Sequence, residues 1–211
     1  MSSQPPSTIE LEFAERYDRE HAQVCREVRP EGVLRRLAMW REQSLIRRAL
    51  KVAGEPGLVL DLACGAGRFW PLLAEHGNRV ILAADPSQGM LDHALTHHST
   101  GLLARVTLFK SSVFTIDMPE NAVDCIFCMQ LFHHVRDSEH RLAILRELHR
   151  VSRDTLILSL FIKPSQNPQR IWVAKDAIEA QFSQAGFSVL KQYDVLPGHT
   201  AGSIFVLRKG S

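Results

Sequence analysis

This chain lacks several features that would narrow its function at once. It has four cysteines in 211 residues and a formal net charge of only +2. So few cysteines exclude a disulfide-rich secreted domain, and the near balance of charge makes no general case for a nucleic-acid partner. No apolar run approaches the roughly 20 residues that a membrane-spanning helix needs. We therefore expect a cytoplasmic globular protein with no membrane partner.

The chain is long enough for one α/β domain with a sizeable core. Its hydrophobic fraction of 45% and charged fraction of 23% are ordinary for such a domain. The first seven residues are rich in serine and proline and lack the apolar core of a signal peptide. We expect residues 1–54 to form a tail with capping helices and residues 55–211 to form the core domain.

Cys125 and Cys128 form a C-x-x-C pair, a spacing that occurs in redox and zinc sites. They lie within Val123–Met129, an apolar run that predicts a buried strand. Residues three apart on a strand point to opposite faces. We therefore interpret them as two small buried side chains and expect no metal site.

The pattern of apolar residues predicts strands that alternate with helices and then a closing hairpin. That order indicates a seven-stranded sheet with helices on both faces. The predicted strands after the first are Val80–Ala84, Arg105–Lys110, Val123–Met129, Thr155–Ile162, Val189–Val195 and Ser203–Arg208. The predicted helices are Thr8–Val28, Val33–Val52, one ending near Glu75, Ser87–His97, Ser138–Arg150 and Lys175–Ala185.

A short apolar run, Leu58 to Leu60, precedes two glycines, Gly65 and Gly67, and a helical pattern. This order predicts a buried strand, a tight turn and a helix whose first N–H groups face a ligand. Gly65 is free to adopt unusual backbone angles, and Gly67 lets a ligand approach the backbone. A dinucleotide-binding turn would have a third glycine where this chain has Trp70, so the glycines alone do not identify the ligand.

Two acidic residues make the turn more specific. Asp61 lies at the end of the first strand, where an acid can meet a cationic group. The next strand ends in Asp85, about twenty residues after the turn, where an acid can bind both hydroxyls of a ribose. Together they suit a ligand with an adenosine end and a charged amino-acid end.

These residues carry a resemblance to a known family. Residues 60–67, LDLACGAG, resemble the first motif of the class I S-adenosylmethionine-dependent methyltransferases, and residues 84–91, ADPSQGML, resemble their second. The chain is most similar to the small-molecule "type 11" branch, from Leu58 to Leu160. The resemblance implies an α/β, Rossmann-like, mostly parallel sheet with its last strand antiparallel, N-terminal helices as a cap, and S-adenosyl-L-methionine as the cofactor.

The resemblance also implies which residues contact the cofactor. They are Asp61, Ala63, Gly65 and Gly67 at the methionine part and ribose, Asp85 at the ribose hydroxyls, Ser87 and Met90 near the ribose and adenine, Ser112 and Val113 at the adenine edge, and Met129 with Gln130 at the methionine amine. The acid that the family often has after the third strand is missing here. Ser112 is therefore a weaker adenine ligand than the Val113 amide.

The acceptor side is expected after the fourth strand. Phe132 would form part of the pocket wall, and His133 and Tyr17 would contact the substrate. In related sugar N-methyltransferases a histidine at the position of His134 assists proton removal, and histidine titrates in the range a general base needs. The alternative is that His134 is structural and hydrogen-bonds across the pocket.

The leading hypothesis is a methyltransferase that acts on a small or medium polar metabolite by direct displacement. Eight basic residues against three acidic ones between Arg26 and Lys51 favour either a solvated helix face or an anionic acceptor. The alternatives are an RNA-modifying methyltransferase that uses this basic face and a non-catalytic S-adenosylmethionine-binding protein. The sequence does not distinguish O-, N- and C-methylation, and it leaves the oligomeric state open.

Overall fold

Seven strands form one sheet in the order β3-β2-β1-β4-β5-β7-β6. A computed structural model of the chain describes residues 32–162, 173–195 and 202–210, without the side chains of Leu34 and Arg35. The predicted helix Thr8–Val28 and Tyr17 lie outside the described residues. The strands are β1 Leu58–Leu62, β2 Val80–Asp85, β3 Val106–Lys110, β4 Val123–Cys128, β5 Ser152–Leu160, β6 Phe187–Asp194 and β7 Ser203–Lys209.

The pairing confirms the predicted sheet. β1 to β5 pair in parallel, whereas β7 pairs antiparallel with both β5 and β6. The last strand is therefore the reversed one. The carboxyl ends of β1 to β5 lie at one edge of the sheet, the edge at which ligands bind in folds of this kind.

Helices cover both faces of the sheet. They are α1 Val33–Val52, α2 Trp70–Leu73, α3 Gln88–His97, α4 Thr100–Leu103, α5 Ser138–Val151 and α6 Lys175–Gln184, with a 3₁₀ turn at Leu131–His134. One core cluster joins the sheet to α5 and α6, and the second joins its other face to α1, α2 and α3. No helix among the described residues is long and apolar enough to cross a membrane.

The two cysteines of the C-x-x-C pair lie on opposite faces of β4, as predicted. Cys125 packs in the cluster beneath α1, whereas Cys128 packs in the cluster beneath α5. Both are buried and free. Burial raises the pKa of the Cys125 thiol to about 12 and raises the pKa of Cys128 as well. The described residues contain no group of three or more His, Cys, Asp or Glu that could hold a metal ion.

Helix α1 has the predicted bounds, but its apolar stripe is buried only in its second half. Leu45, Ile46 and Leu50 are buried against the sheet, whereas Leu37 is 55% exposed. A 20-residue helix is about 30 Å long, and a five-residue strand such as β1 only about 17 Å. Helix α1 ends just before β1 begins, so its last turn lies near the amino ends of the parallel strands. Its first turns therefore extend past the opposite edge, where the carboxyl ends of these strands lie. The sequence places Leu37 on one apolar stripe with Leu34, Leu45, Ile46 and Leu50 and so predicts that it is buried. That prediction is wrong for Leu37.

The sequence predicts Ser138 as the cap of α5 and an end near Glu75 for α2, and the structure differs at both places. Helix α5 is capped by Asp137 rather than Ser138, because the Asp137 carboxylate accepts hydrogen bonds from the amides of Glu139 (2.8 Å) and His140 (3.1 Å). Helix α2 ends at Leu73 instead of running to Glu75. The buried Arg79 guanidinium donates to the Leu73 carbonyl at 3.1 Å and holds the chain in its turn toward β2.

Candidate functional site

Asp85 ties together the first two loops at the carboxyl edge of the sheet. Its carboxylate is fully buried and accepts the Gly65 amide on Oδ2 at 2.8 Å and the Ser87 amide on Oδ1 at 2.9 Å. These bonds fix the glycine turn after β1 against the end of β2 and the start of α3. Asp85 therefore has a structural role beside its predicted ribose role.

The glycine turn is built from left-handed residues. Ala63, Gly65 and Gly67 have φ angles of +57°, +54° and +73°. A methyl group placed on Gly65 would meet nothing within 4 Å, whereas one on Gly67 would lie 2.5 Å from the Trp70 ring. Gly65 is thus the position where a ligand can approach the backbone. The missing side chain of Gly67 makes room for Trp70, which the sequence did not predict.

Asp61 is a second buried acid beside the turn. Its side chain accepts a hydrogen bond from Trp70 Nε1 at 3.0 Å, and the residue is 2% exposed. Burial raises the pKa of Asp61 to about 8, the indole bond opposes that rise, and the nearby charge of Asp85 adds to it. A nearby cationic group stabilises the ionised form of a carboxyl that is buried in this way. The predicted contact with the cofactor's amino-acid end fits this environment.

The adenine side is formed by the ends of β2 and β3. Ser87 caps α3 and its hydroxyl accepts the Met90 amide at 3.4 Å. At the end of β3, the Ser112 hydroxyl accepts the Phe114 amide at 3.1 Å, and Val113 is buried in the core. The Ser112 hydroxyl thus supports its own loop.

The loop after β4 is anchored to β5. Gln130 adopts a left-handed φ of +70°, and its amide donates to the Ser159 hydroxyl at 2.8 Å. Met129 and Phe132 are both buried in the core. Their backbone therefore lies at the site while their side chains support it from beneath. A strained non-glycine residue at a ligand-facing loop, such as Gln130, is a common feature of functional sites.

The two adjacent histidines have different environments. The His133 ring stacks on the Phe161 ring, with centroids 3.9 Å apart and planes 18° from parallel. Residues of a 3₁₀ turn are separated by about 120°, so the His134 side chain leaves the backbone in another direction. His134 is half-buried. This geometry agrees with the prediction that the two differ.

Three residues that sequence reasoning missed support the site. Trp70 holds Asp61, Ser159 holds Gln130, and the Arg141 guanidinium donates to the carbonyl of Val135 directly after the histidines at 3.1 Å. The signals for two of them were a tryptophan at the third glycine position and a serine within the apolar run of β5, whereas Arg141 lies in a polar stretch and gave no signal. The partners of such residues become visible only in the folded chain.

Helix α1 is tied to the same edge of the sheet by its own charged residues. Glu42 forms a salt bridge with Arg68, which follows the glycine turn. Arg41 donates to the Val195 carbonyl, and Arg47 pairs with Glu75 at 2.6 Å. Two of the basic residues considered for an anionic partner therefore serve the fold. Among the described side chains of this group, those of Arg36, Arg48 and Lys51 remain exposed.

Comparison with known proteins gives a consistent result. Residues 59–155 match the family model described as a methyltransferase domain. An uncharacterised methyltransferase-like protein of Schizosaccharomyces pombe is 25% identical over 153 residues, which cover 71% of this chain and 56% of that protein. The chain thus spans little more than half the length of this curated relative.

Solved structures share the fold. Magnesium protoporphyrin IX methyltransferase from Synechocystis PCC 6803, crystallised with S-adenosylhomocysteine, has a TM-score of 0.72 at 16% identity, covering 96% of this chain and 99% of that one. The methyltransferase domain of bacterial CtHen1-C has a TM-score of 0.67 at 19% identity, covering 82% and 100%. At these identities the likeness concerns the fold.

Proposed function

We propose that residues 59–155, which match the methyltransferase-domain family model, are a class I S-adenosylmethionine-dependent methyltransferase domain, and that the chain methylates a small or medium polar metabolite. The matched segment lies within the predicted range Leu58 to Leu160. Assignment to the type 11 branch stays a prediction. We also keep as proposals the division into residues 1–54, as tail and capping helices, and residues 55–211, as the cofactor-binding domain.

One observation carries the proposal: two buried acids flank a glycine turn that is open on one side. Asp61 offers a carboxyl to a cationic amino-acid end, Asp85 lies at the strand end where an acid can bind ribose hydroxyls, and Gly65 leaves space for the ligand between them. The two carboxylates and the open glycine position therefore fit S-adenosylmethionine. Ser87 with Met90 would lie at the ribose and adenine, and the Val113 and Met129 backbones at the two ends.

The cofactor supplies an electrophilic methyl group on a sulfonium sulfur. The chain's task is then mainly alignment, because holding the two reacting groups in line can lower the barrier by several kcal/mol, roughly 7–11 in model systems. The hydrogen bonds that hold the loops at the carboxyl edge of the sheet provide that rigidity. The Asp85 bonds fix the glycine turn and the start of α3, and the Gln130 bond to Ser159 fixes the loop after β4.

His134 is the proposed general base. A hydroxyl or amine acceptor must lose a proton during or just after attack, and a placed base typically contributes about a hundredfold or more. The stacking of His133 on Phe161 leaves His134 as the better candidate. The polar groups Gln130, His133 and His134 suit a polar acceptor, and the exposed Arg36 suits an anionic one.

The test is turnover of labelled S-adenosylmethionine against a metabolite library, followed by kinetics of His134→Ala and His133→Ala. We expect His134→Ala to lower kcat about a hundredfold, with cofactor affinity nearly unchanged in both variants. His133→Ala is the matched control. Small and equal losses of kcat in the two variants would show that His134 is not the general base and that alignment alone accounts for catalysis. Tight cofactor binding with no turnover on any acceptor would favour a non-catalytic binding protein.

A further inference from the structure

We infer that Trp70 is a positioning residue for the cofactor's amino-acid end: its indole N–H fixes one oxygen of Asp61 and favours the ionised carboxylate which that end requires. The inference rests on the proposed function, because it takes the cationic end of S-adenosylmethionine to lie against Asp61. Trp70 lies at the position where a dinucleotide-binding turn would have its third glycine.

The geometry holds the indole firmly against the turn. Trp70 is fully buried, and its Nε1 lies 3.0 Å from Asp61 Oδ2. Gly67 accommodates the ring, since a methyl group there would lie only 2.5 Å from it. On another side, the His98 ring lies 4.9 Å from the indole, and its Nε2 is 2.8 Å from the Ala66 carbonyl oxygen. The turn and the indole therefore form one packed unit.

The electrostatic surroundings of Asp61 give this contact its weight. The charged group that acts on Asp61 is Asp85 from β2, and Asp61 in turn raises the pKa of the nearby thiols of Cys64 and Cys128. None of these is cationic, and burial disfavours the charged carboxylate further. Within the part of the chain that the structure describes, Trp70 Nε1 is the only donor to the Asp61 side chain. It is thus the group that opposes protonation before the cofactor binds.

A pH-dependent signature follows from this linkage. Asp61 has a pKa raised to about 8, so at neutral pH the cofactor's cation must displace its proton. Without the indole bond the pKa would rise further, and cofactor affinity near pH 7 would fall. Well above both pKa values the carboxylate is ionised in either protein, so the loss should shrink. A purely structural defect would instead weaken binding equally at all pH values.

The experiment is calorimetric titration of S-adenosylhomocysteine into wild-type protein and Trp70→Phe between pH 7 and 9.5. Loss of a hydrogen bond to a charged acceptor predicts about tenfold weaker binding at pH 7, and the ratio of the two Kd values should approach one at high pH. The ligand's own amine titrates near this range, at about 7.7–8.0 for an α-amino group, but cancels in the ratio. The variant His98→Asn tests whether the nearby His98 ring, rather than Asp61, causes the pH dependence of this ratio. We expect His98→Asn to leave that pH dependence in place.

Asp61→Asn provides the matched background. In that variant Trp70→Phe should change affinity less than twofold at every pH, because there is no carboxylate left to ionise. A ratio that stays constant with pH, while wild type binds normally, would overturn the inference alone. Absence of S-adenosylhomocysteine binding by wild type would overturn the proposed function and the inference with it.

A measurement on wild-type protein covers the case in which Trp70→Phe does not fold. The indole N–H resonance of Trp70, assigned with Trp40→Phe and Trp172→Phe, should shift with a midpoint near pH 8 as Asp61 ionises. Asp61→Asn should abolish the shift and His98→Asn should not. A Trp70 indole signal that does not respond to pH in this range would overturn the inference.

Discussion

At the scale of single residues, the buried carboxyl of Asp61 links stability to pH. Its pKa is raised to about 8 in the folded protein, against about 3.9 in an unfolded chain. Between these values the folded state binds more protons than the unfolded state, so the free energy of unfolding falls as pH rises from about 4 to 8 and then levels. The site therefore costs stability at physiological pH.

Asp61→Asn should remove this cost while keeping an oxygen that accepts the Trp70 bond. We expect the variant to gain free energy of unfolding over wild type as pH rises from 5 to 8.5, and to bind cofactor more weakly. Denaturant unfolding at both pH values measures the difference. Asp92→Asn, at an exposed position on α3, is the control and should show no such trend. Equal stability of Asp61→Asn and wild type at both pH values would contradict the pKa shift.

Ala63 is a second residue whose conformation carries a cost. Its φ of +57° is left-handed, which costs an L-residue roughly 1–2 kcal/mol. Glycine avoids that strain but loses about 0.5–1 kcal/mol through the flexibility of the unfolded chain. Ala63→Gly should therefore be neutral or stabilising by up to about 1.5 kcal/mol.

The contrast is Ala94→Gly in the middle of α3, where the alanine is fully buried. There, glycine should cost about 1 kcal/mol from helix propensity alone. Thermal unfolding of both variants tests the pair. A larger loss for Ala63→Gly than for Ala94→Gly would show that the left-handed strain is not released.

At the scale of elements, the start of α5 depends on Asp137. The amides of His140 and Glu139 lower the pKa of its carboxyl. A lowered folded pKa stabilises the protein above the unfolded pKa, and this contribution is lost as pH falls through the folded value. Asp137→Ala should lower Tm at pH 7 relative to wild type. The difference in Tm between the two proteins should become smaller at acidic pH, where the Asp137 carboxyl of wild type is protonated. Ser138→Ala is the control, and a larger effect there would reinstate Ser138 as the cap.

The sequence predicted the elements better than their ends. Apolar runs identified all seven strands, and strand alternation placed Cys125 and Cys128 on opposite faces. The ends depend on side-chain contacts just outside each helix, which apolar periodicity does not report. Asp137 caps α5 in place of its neighbour Ser138, and Arg79, shortly after α2, donates to the carbonyl of its last residue, Leu73. The prediction that Leu37 is buried was wrong because periodicity shows which face of a helix is apolar but not how far the sheet beneath that face extends.

At the scale of the whole molecule, the motif pair predicted the glycine turn and the acid at the end of β2, and folding supplied the contacts that support them. The glycine turn and Asp85 were predictable because local spacing fixes both. The partners of Trp70 and Ser159 were not, since each contact joins residues that only the sheet brings together. The acceptor remains a proposal for the same reason.

In the proposed function, Asp85 and the glycine turn bind the adenosine end of S-adenosylmethionine. The most direct test is calorimetric titration of S-adenosylhomocysteine into wild type, Asp85→Ala and Asp92→Ala, each first shown to be folded. We predict one site per chain in wild type, the same affinity in Asp92→Ala, and an affinity about ten- to a hundredfold lower in Asp85→Ala, as expected for a lost charge-assisted bond of roughly 1.5–3 kcal/mol. No binding in wild type, or equal affinity in all three proteins, would contradict the claim.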